Sequence, residues 1–387
     1  MTTDLRVAMI GHGFMGAAHS VGWRQAPAAF DLPMRPRMAV LVGRDRDRTT
    51  AAATQWGWTE VADDWRRVIE RDDIDVIDIV TPGDSHAEIA VAALDAGKHV
   101  LCEKPLANTV DEAERMADAA ARARAGGALA MVGFTYRRVP ATTLMRDLVA
   151  EGRIGTVRQV RATYRQDWLS DPESPMTWRL ERERAGSGAL GDIGAHAIDL
   201  TQYVTGLPVE RVAGTTETLV AERPLLGAQV GLGGTAGAGR GTVTVDDVAM
   251  FTGRLRGGAL AAFEATRFAT GRKNALEIEI SGDRGALSWN LEDLNALRFF
   301  DATADPRTAG FTRILVTEPE HPYLSGWWPA GHMLGYEHGF SHQVRDLVEA
   351  VAAGTDPHPT FADGLQVQRV LAAVERSSAA SAMWTDV

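Results

Sequence analysis

The chain has 387 residues, of which 45% are hydrophobic and 24% are charged, a balance typical of folded proteins with apolar cores. Its net charge of −11 and its lack of a basic cluster argue against a nucleic-acid partner, because phosphate binding depends on clustered Lys and Arg. A single cysteine excludes a disulfide framework, and we see no signal peptide and no long apolar segment, so we expect a soluble cytoplasmic protein without a membrane partner.

The first part of the chain alternates between apolar runs and helical patterns. Periodicity predicts five buried strands, in LRVAMIG, RMAVLVGRD, IDVIDIVTP, KHVLCEKP and ALAMVGF. A segment with helical periodicity follows each of the first four strands. Such alternation predicts a doubly wound parallel sheet with helices on both faces. We expect this α/β domain to span residues 1–137.

After Pro140 the pattern changes to strand-like runs that are separated by short turns. The runs TVTVDDVAMFTGRL, ALAAFEATRF, ALEIEISG, GALSWN and ALRFFD predict a mostly antiparallel sheet, and two helical segments close the chain. The glycine-rich piece Leu225–Gly241 has too few apolar residues to build a core, and we expect a mobile surface loop there. This α+β domain is expected to span residues 138–387.

The stretch GHGFMG, between the first strand and the first helix, has the G-x-G-x-x-G spacing. Gly11 permits a tight turn, Gly13 lets the backbone approach a pyrophosphate, and Gly16 allows close helix packing. The diphosphate would then lie at a helix N-terminus, beside Phe14 and Met15. The stretch therefore predicts a dinucleotide site, with a purely structural glycine turn as the alternative.

The choice of dinucleotide depends on the end of the second strand, where NAD sites usually carry an acidic residue for the ribose. Gly43 stands at about that position, and Arg44 follows it. An arginine there can pair with a 2′-phosphate, which favours NADP. Asp45 could still serve NAD, and a solvated charge run is a further alternative.

Lys104 lies directly after the fourth predicted strand, at the edge where ligands bind in open α/β sheets. Pro105 stiffens the turn that would aim it. In a reaction site, such a cation stabilises negative charge that develops on a substrate oxygen. A solvated lysine before a turn is the alternative.

A second cluster lies in AGSGALGDIGAHAIDL, where Asp192 and His196 are four residues apart and are expected on one helix face. Histidine is the usual proton acceptor near neutral pH, and Asp192 could orient it or bind a neighbouring hydroxyl. Asp199 could support them from behind. A metal site built from these residues is an alternative, but hydride transfer to a nicotinamide needs no metal and we predict none.

Four stretches together resemble the Gfo/Idh/MocA family of NAD(P)-dependent oxidoreductases: GHGFMG, TPGDSHAEIAVAALDAGKHVLCEKPLA, VGFTYRRVPA and GSGALGDIGAHAIDL. The resemblance covers nearly the whole chain. It implies a Rossmann domain followed by an open-faced sheet domain, which forms the substrate site and the contacts of a homodimer or homotetramer. The family's catalytic lysine, aspartate and histidine correspond to Lys104, Asp192 and His196.

The resemblance also implies cofactor contacts beyond the glycine loop. These are Thr81, Pro82, His86, Glu103, Lys104, Trp178 and Arg179. Within the family, YRQDWLSDPESPMTWRLERERAGSGALGDI resembles the glycoside 3-dehydrogenases, which adds Tyr164, Gln166 and Trp168 as pocket residues. Gly43 departs from the family pattern and leaves the preference for NAD open.

Two further stretches fit a sugar pocket. HPYLSGWWPAGHMLGYEHGF contains aromatic rings, which pack on the apolar face of a sugar, and imidazoles, which bind hydroxyls. We therefore predict Trp327 and His338 as substrate contacts, while Trp327 and Trp328 could equally fill a core or a subunit interface. Arg137, in FTYRR, is either a substrate-binding or a structural cation.

These features predict an enzyme that oxidises a secondary hydroxyl of a sugar, glycoside or cyclitol, or catalyses the reverse reaction. A hydride passes to the nicotinamide, His196 takes the proton and Lys104 stabilises the alkoxide. A sensor that binds cofactor without turnover is one alternative. A biosynthetic reductase of an activated or amino sugar is another, although only Arg165 and Arg179 offer basic pocket residues.

Overall fold

The structure, a computed structural model, describes residues 3–230 and 233–387. The chain forms two compact units, one of Met1–Thr135 with Gly335–Leu365 and the other of Tyr136–Leu334 with Gln366–Val387. A single boundary after residue 137 therefore needs a correction, because Gly335–Leu365 returns to the first unit. Within the described part of the chain, no helix is both long and apolar enough to cross a membrane.

The helices are short to medium in length and occur in both units. They are α1 (Phe14–Ala29), α2 (Arg46–Trp56), α3 (Trp65–Ile69), α4 (His86–Asp95), α5 (Val110–Arg124), α6 (Pro140–Ala150), α7 (Arg182–Ala185), α8 (Ala195–Thr205), α9 (His338–Ala353) and α10 (Phe361–Ala379).

In the described part of the chain, the strands form three sheets. They are β1 (Thr3–Ile10), β2 (Met34–Val42), β3 (Glu60–Ala62), β4 (Val76–Ile79), β5 (His99–Cys102), β6 (Ala130–Val132), β7 (Val157–Arg165), β8 (Val209–Glu217), β9 (Glu222–Val230), β10 (Gly233–Thr242), β11 (Val248–Leu255), β12 (Leu260–Thr266), β13 (Ala275–Gly282), β14 (Gly285–Asn290), β15 (Ala296–Asp301), β16 (Thr312–Leu315) and β17 (Thr385–Asp386).

The first unit contains a parallel sheet in the order β3-β2-β1-β4-β5-β6, which confirms the predicted doubly wound Rossmann fold. All four residues of β4 are buried, as expected for a strand that is covered on both faces. Strand β3 was not predicted from the sequence, because its three residues are too few to show a period. The carboxyl end of β1 leads into the glycine loop, that of β4 into the segment of Thr81, and that of β5 into Glu103.

Helix α9 explains why Gly335–Leu365 belongs to the first unit. Val344, Leu347 and Val348 follow the i, i+3, i+4 spacing of one helix face, and each is at most 2% exposed. They join the same buried cluster as Trp23 of α1 and Leu41 of β2. The apolar face of α9 therefore completes a core that the first 135 residues begin.

The second unit contains a nine-stranded sheet in the order β16-β15-β14-β13-β7-β12-β11-β8-β17. Among the described residues of this sheet, only β7 and β12 pair in parallel, so the predicted mostly antiparallel sheet is confirmed. Strand β11 alternates between buried and exposed residues along most of its length, which indicates that one face is packed and the other is open.

The glycine-rich piece is not a loop, because Leu225–Gly241 lies mostly in β9 and β10, which pair as an antiparallel hairpin. Residues 231–232 lie outside the described residues. The prediction of a loop was wrong because backbone pairing needs no apolar side chains. Arg223 anchors this hairpin: it is fully buried and donates to the carbonyl oxygens of Leu169 and Asp171, each at 2.8 Å.

Candidate active site

The glycine loop has the geometry of a dinucleotide cradle. Gly11 has a φ of +110°, and a Cβ there would lie 3.0 Å from the carbonyl oxygen of Val80. A Cβ on Gly16 would lie 2.9 Å from the carbonyl oxygen of Gly11, so this glycine permits close packing. Gly13, the residue before α1, meets nothing within 4 Å, which leaves open space beside the first N–H groups of the helix. The residues present therefore fit a pyrophosphate.

The end of β2 explains the missing acidic residue. A Cβ on Gly43 would lie 2.4 Å from both Thr49 Oγ1 and His12 Cδ2, so no carboxylate fits there. Asp45 accepts a hydrogen bond from the backbone N–H of Arg48 at 3.1 Å and caps α2. Arg44 is exposed. The preference for NADP stays a prediction.

His86 connects the ends of two strands in the first unit. It is 1% exposed, with Nε2 2.9 Å from the carbonyl oxygen of Thr81 and Nδ1 3.0 Å from that of Pro105. The segments after β4 and β5 are therefore fixed to each other through one imidazole. The structure gives His86 this bracing role, while cofactor contacts from Thr81, Pro82 and His86 stay predictions.

Lys104 follows β5 at the carboxyl edge of the parallel sheet, as predicted, and its side chain is half-buried. Its backbone N–H donates to Glu103 Oε2 at 3.2 Å. Glu103 is only 3% exposed, and its Oε1 accepts a hydrogen bond from His19. Glu103 therefore supports the turn of Glu103, Lys104 and Pro105, which we call the E-K-P turn, from inside the unit. Its predicted contact with the cofactor is untested.

The stretch around His338 is divided between the units, since Tyr336 and His338 belong to the first and Trp327 to the second. His338 Nδ1 accepts a hydrogen bond from the backbone N–H of Gly335 at 3.0 Å. Burial lowers the pKa of His338, which favours a neutral imidazole near pH 7. Its role in substrate binding, like that of Trp327, stays a prediction.

Phe14, at the start of α1, is 48% exposed and stacks with Tyr336 at 6.5 Å between ring centroids.

In the second unit, the Asp192 motif begins with a π-helical turn, Leu190–Gly194, and continues as α8. Asp192 therefore lies in the π turn, not in the regular helix that the sequence predicted. Asp246 holds the start of this segment by accepting hydrogen bonds from the backbone N–H groups of Gly188 and Leu190, each at 2.7 Å. π-Helical turns are rare in proteins, and a large share of those known lie at functional sites.

Two guanidinium groups surround the Asp192 carboxylate. Arg267, which is 0% exposed, donates from Nη2 to Asp192 Oδ2 at 2.8 Å and to the carbonyl oxygen of Gly188 at 3.3 Å. Arg179 Nε lies 4.0 Å from the same carboxylate oxygen, and the Arg179 guanidinium also stacks on Trp178. Burial lowers the pKa of Arg179. The structure thus places Arg179 beside a predicted catalytic residue, whereas cofactor contacts by Trp178 and Arg179 are untested.

His196 lies in α8 beside two tyrosine rings. Its ring centroid is 4.6 Å from that of Tyr136 and 5.9 Å from that of Tyr164. The two tyrosine hydroxyls lie 2.8 Å apart, and burial raises the pKa of Tyr136, so its hydroxyl stays protonated near neutral pH.

The three predicted pocket residues, Tyr164, Gln166 and Trp168, belong to one chain of hydrogen bonds in the second unit. Asn274 Oδ1 accepts from Tyr164 Oη and from Gln166 Nε2, both at 2.8 Å. Gln166 Oε1 in turn accepts from Trp168 Nε1 at 3.0 Å. Their role in substrate binding stays a prediction.

Arg137 and Asp199 form a buried ion pair in the second unit, with Arg137 Nε 2.9 Å from Asp199 Oδ2. The Arg137 guanidinium also lies over the ring of Tyr203. This supports a structural cation, and a substrate contact for Arg137 is untested. Asp199 is thus engaged by a cation, and among the described residues no three His, Cys, Asp or Glu side chains are arranged to hold a metal ion.

Four residues that shape this cluster were not predicted from the sequence. They are Tyr136, Asp246, Arg267 and Asn274. A charged residue directly after an apolar strand was the available signal for Arg267, which follows β12. The signal for Asp246 was a carboxylate two residues before the start of β11. Trp328 is 58% exposed, which argues against a place in the core of its unit.

Comparison with known proteins agrees with this architecture. The family model described as "Oxidoreductase family, NAD-binding Rossmann fold" matches residues 5–134, and the GFO/IDH/MocA C-terminal domain matches residues 142–288. The chain is 40% identical to levoglucosan dehydrogenase of Pseudarthrobacter phenanthrenivorans, over 99% of this chain and 98% of that protein. The chain is thus similar to levoglucosan dehydrogenase over nearly its whole length.

Solved structures show the same similarity. An oxidoreductase domain protein from Kribbella flavida is 62% identical with a TM-score of 0.95, and both chains are covered fully. Levoglucosan dehydrogenase in complex with NADH and levoglucosan is 39% identical with a TM-score of 0.93, again over 100% of both chains. Fold and matches together define an oxidoreductase with an NAD-binding Rossmann domain. More particularly, the chain belongs to the Gfo/Idh/MocA family.

Proposed function

We propose that the protein oxidises one secondary hydroxyl of a sugar or glycoside with NAD(P)+, and that levoglucosan or a similar anhydro sugar is the substrate. The proposal depends on one observation in the second unit. Asp192 and His196 lie four residues apart on one continuous helical segment, and aromatic and amide side chains lie beside it. The 40% identity to levoglucosan dehydrogenase over 99% of the chain supports the choice of substrate.

In the proposed reaction, His196 accepts the proton of the substrate hydroxyl, because a neutral imidazole is a good base near neutral pH. The ammonium group of Lys104 stabilises the alkoxide that forms as the proton leaves. When bound, the nicotinamide ring supplies the hydride acceptor for the carbon that is oxidised. The products are then a ketone, a reduced nicotinamide and one proton on His196.

Asp192 would orient the sugar instead of taking its proton. The two neighbouring guanidinium groups stabilise a carboxylate at this position, and a carboxylate only accepts hydrogen bonds. A second hydroxyl of the sugar can donate to it, which would fix the oxidised carbon in one orientation. Tyr164 and Gln166 would present further polar groups whose directions are set by Asn274.

The test is to incubate the protein with NAD+ or NADP+ and a sugar panel of levoglucosan, glucose, methyl glucosides and inositol, while recording nicotinamide absorbance. We expect the fastest reduction with levoglucosan. Lys104→Ala and His196→Ala should each lower kcat by at least ~100-fold. Near-normal turnover in either variant would contradict its assigned role, and silence across the panel would favour a sensor.

Three finer proposals accompany this function. Arg44, which is exposed just after β2, supports a preference for NADP. The ratio of kcat/KM with NADP+ to kcat/KM with NAD+ tests this preference.

The exposed side chains of Met250 and Leu260, on neighbouring strands of the nine-stranded sheet, support a homodimer or homotetramer. A cytoplasmic location agrees with the composition.

A further inference from the structure

Next to the E-K-P turn, the first unit holds three ionisable side chains that are shielded from solvent. His19 of α1, Asp78 of β4 and Glu103, which follows β5, are 1%, 0% and 3% exposed. The imidazole lies between the two carboxylates, with Nδ1 2.9 Å from Asp78 Oδ1 and Nε2 3.0 Å from Glu103 Oε1. We call these three residues the His19 cluster.

The distances indicate an imidazolium ion between two carboxylates. Only a doubly protonated imidazole can donate from both ring nitrogens, and carboxylates accept hydrogen bonds without donating any. Burial acts to lower the pKa of His19, but Asp78 and Glu103 outweigh it and raise the pKa to about 10. Burial, together with the charges of Glu103 and Asp78, raises the pKa of the neighbouring Cys102 thiol, which therefore stays neutral.

The surroundings of the His19 cluster are shaped for the carboxylates. Trp23 Nε1 donates to Asp78 Oδ2 at 2.7 Å and so orients that carboxylate. A Cβ on Gly133 would lie 2.5 Å from Glu103 Oε1, so the glycine leaves space for the Glu103 side chain. The ring centroid of Phe340 lies 5.4 Å from the ring centroid of His19.

Glu103 connects two elements that matter for the proposed reaction. Its Oε1 accepts from His19, which lies in the second turn of the helix that follows the glycine loop. Its Oε2 accepts from the backbone N–H of Lys104 at 3.2 Å. One buried carboxylate thus joins the dinucleotide loop to the turn that carries the lysine.

We propose that the His19 cluster positions Lys104 relative to the dinucleotide loop, so that the ammonium group and the cofactor keep a fixed relation. The inference rests on the role proposed above for Lys104. His19, Asp78 and Glu103 are positioning residues, since they act through the backbone of Lys104. Packing alone does not account for them, because apolar side chains of similar volume can often replace a buried ion cluster without loss of stability.

The chain allows a direct measurement at Lys104 that does not depend on turnover. Lys98, Lys104 and Lys273 are its three lysines, so reductive methylation with ¹³C-formaldehyde gives few NMR signals. Lys104→Arg identifies the Lys104 signal. The exposed Lys273, which pairs with Asp167 at 2.7 Å, serves as the internal reference.

We expect Glu103→Gln, which keeps the side-chain shape but removes its charge, to move the Lys104 signal and leave the Lys273 signal in place. With the sugar substrate, kcat should fall at least ~10-fold, because small misplacements of reacting groups are costly. An unchanged Lys104 signal in Glu103→Gln would overturn the proposal.

Trp23→Phe is the matched control. It removes a buried hydrogen bond to Asp78 but leaves Glu103 between His19 and Lys104. We expect lower thermal stability, an unchanged Lys104 signal and a kcat within about 3-fold of the original protein. Equal losses of kcat in both variants would show that the His19 cluster acts only through packing.

Two further measurements test the positioning role of the His19 cluster. If Glu103→Gln does not fold, ¹⁵N NMR of the unaltered protein at pH 8 decides, since the proposal requires both His19 nitrogens to be protonated. A neutral His19 at that pH would refute it. Absence of sugar oxidation in the unaltered protein would refute the proposed function alone, while the Lys104 and His19 signals still test the positioning link.

Discussion

Asp192 depends on side chains that lie far from it along the chain. Arg267, 75 residues away, donates to its carboxylate, and Asp246 holds the backbone of Gly188 and Leu190. Burial raises the pKa of Asp246, while its hydrogen bonds from these two N–H groups act to lower it. The direction of the Asp192 carboxylate is therefore set by residues at the ends of β11 and β12.

Replacing Arg267 by Met should lower kcat for sugar oxidation by at least ~10-fold, because Asp192 loses its nearest hydrogen-bond donor and a fixed orientation. Arg267→Lys keeps the charge but lacks the planar fork, so we expect only partial recovery. The measurement is kcat and KM for the sugar, with NADH affinity as a readout that should not change.

Arg223→Met is the control for this change. Arg223 is equally buried, but it donates to backbone carbonyl groups in the segment around Leu169 and does not contact Asp192. It should lower the free energy of unfolding without a comparable loss of kcat. A similar kcat in Arg267→Met and in the unaltered protein would contradict the role given to Arg267.

At the scale of elements, local pattern and long-range contact contribute differently to what the sequence reveals. Five of the six strands of the parallel sheet were predictable because each is an apolar run that ends in a turn residue, whereas the three-residue β3 was not. The β9–β10 hairpin was not, since its pairing involves the backbone and its anchor, Arg223, lies outside any motif. The π turn at Asp192 was also hidden, because Asp246 is distant in sequence.

The site shows the same division. Lys104, Asp192 and His196 lie in recognisable motifs, so the sequence identified them as candidates. Arg267 and Asp246 act only through the fold, and nothing in their local sequence specifies a contact with the Asp192 segment. Sequence thus predicts groups that are contiguous with motifs better than the groups that orient them.

The contact between α1 and the parallel sheet includes the His19 cluster, which gives stability a defined pH dependence. An unfolded histidine titrates near pH 6.5, whereas the pKa of His19 in the folded chain is about 10. The folded state therefore binds more protons between these values. The contribution of His19 to stability is complete below about pH 6.5 and is lost as the pH rises towards 10.

We expect the free energy of unfolding to fall by up to about 1.4 kcal/mol per pH unit between pH 7 and 10 from this residue. Urea denaturation across that range, compared with His19→Gln, isolates the effect because the variant lacks the titrating group. His332→Gln, which alters an exposed imidazole, should leave the slope as it is. Parallel curves for His19→Gln and the unaltered protein would contradict the assignment.

At the scale of the whole molecule, the first unit is built from two stretches that are about 200 residues apart in the chain, Met1–Thr135 and Gly335–Leu365. The second stretch supplies Val344, Leu347 and Val348 to the core around Trp23. Without α9, the apolar side chains of residues 1–135 that pack against it, such as Trp23, would face water. The cost is roughly 1.5–3 kcal/mol for each large side chain.

A fragment of residues 1–137 should therefore fail to fold cooperatively, although the sequence pattern suggests a complete domain. A fragment that joins residues 1–135 to 335–365 through a flexible linker should fold and bind NADH. Circular dichroism during thermal unfolding and NADH fluorescence provide the two measurements. A cooperative transition in the shorter fragment would contradict the place given to α9.

Protein synthesis runs from the N-terminus, and this split architecture has a consequence for it. Residues 1–135 leave the ribosome early, but their partner helix is translated only after about 200 further residues have emerged. The nascent Rossmann portion must persist with an incomplete apolar face while the intervening unit is made. Chaperone binding is thus expected to concentrate on ribosome-bound chains that end before residue 365.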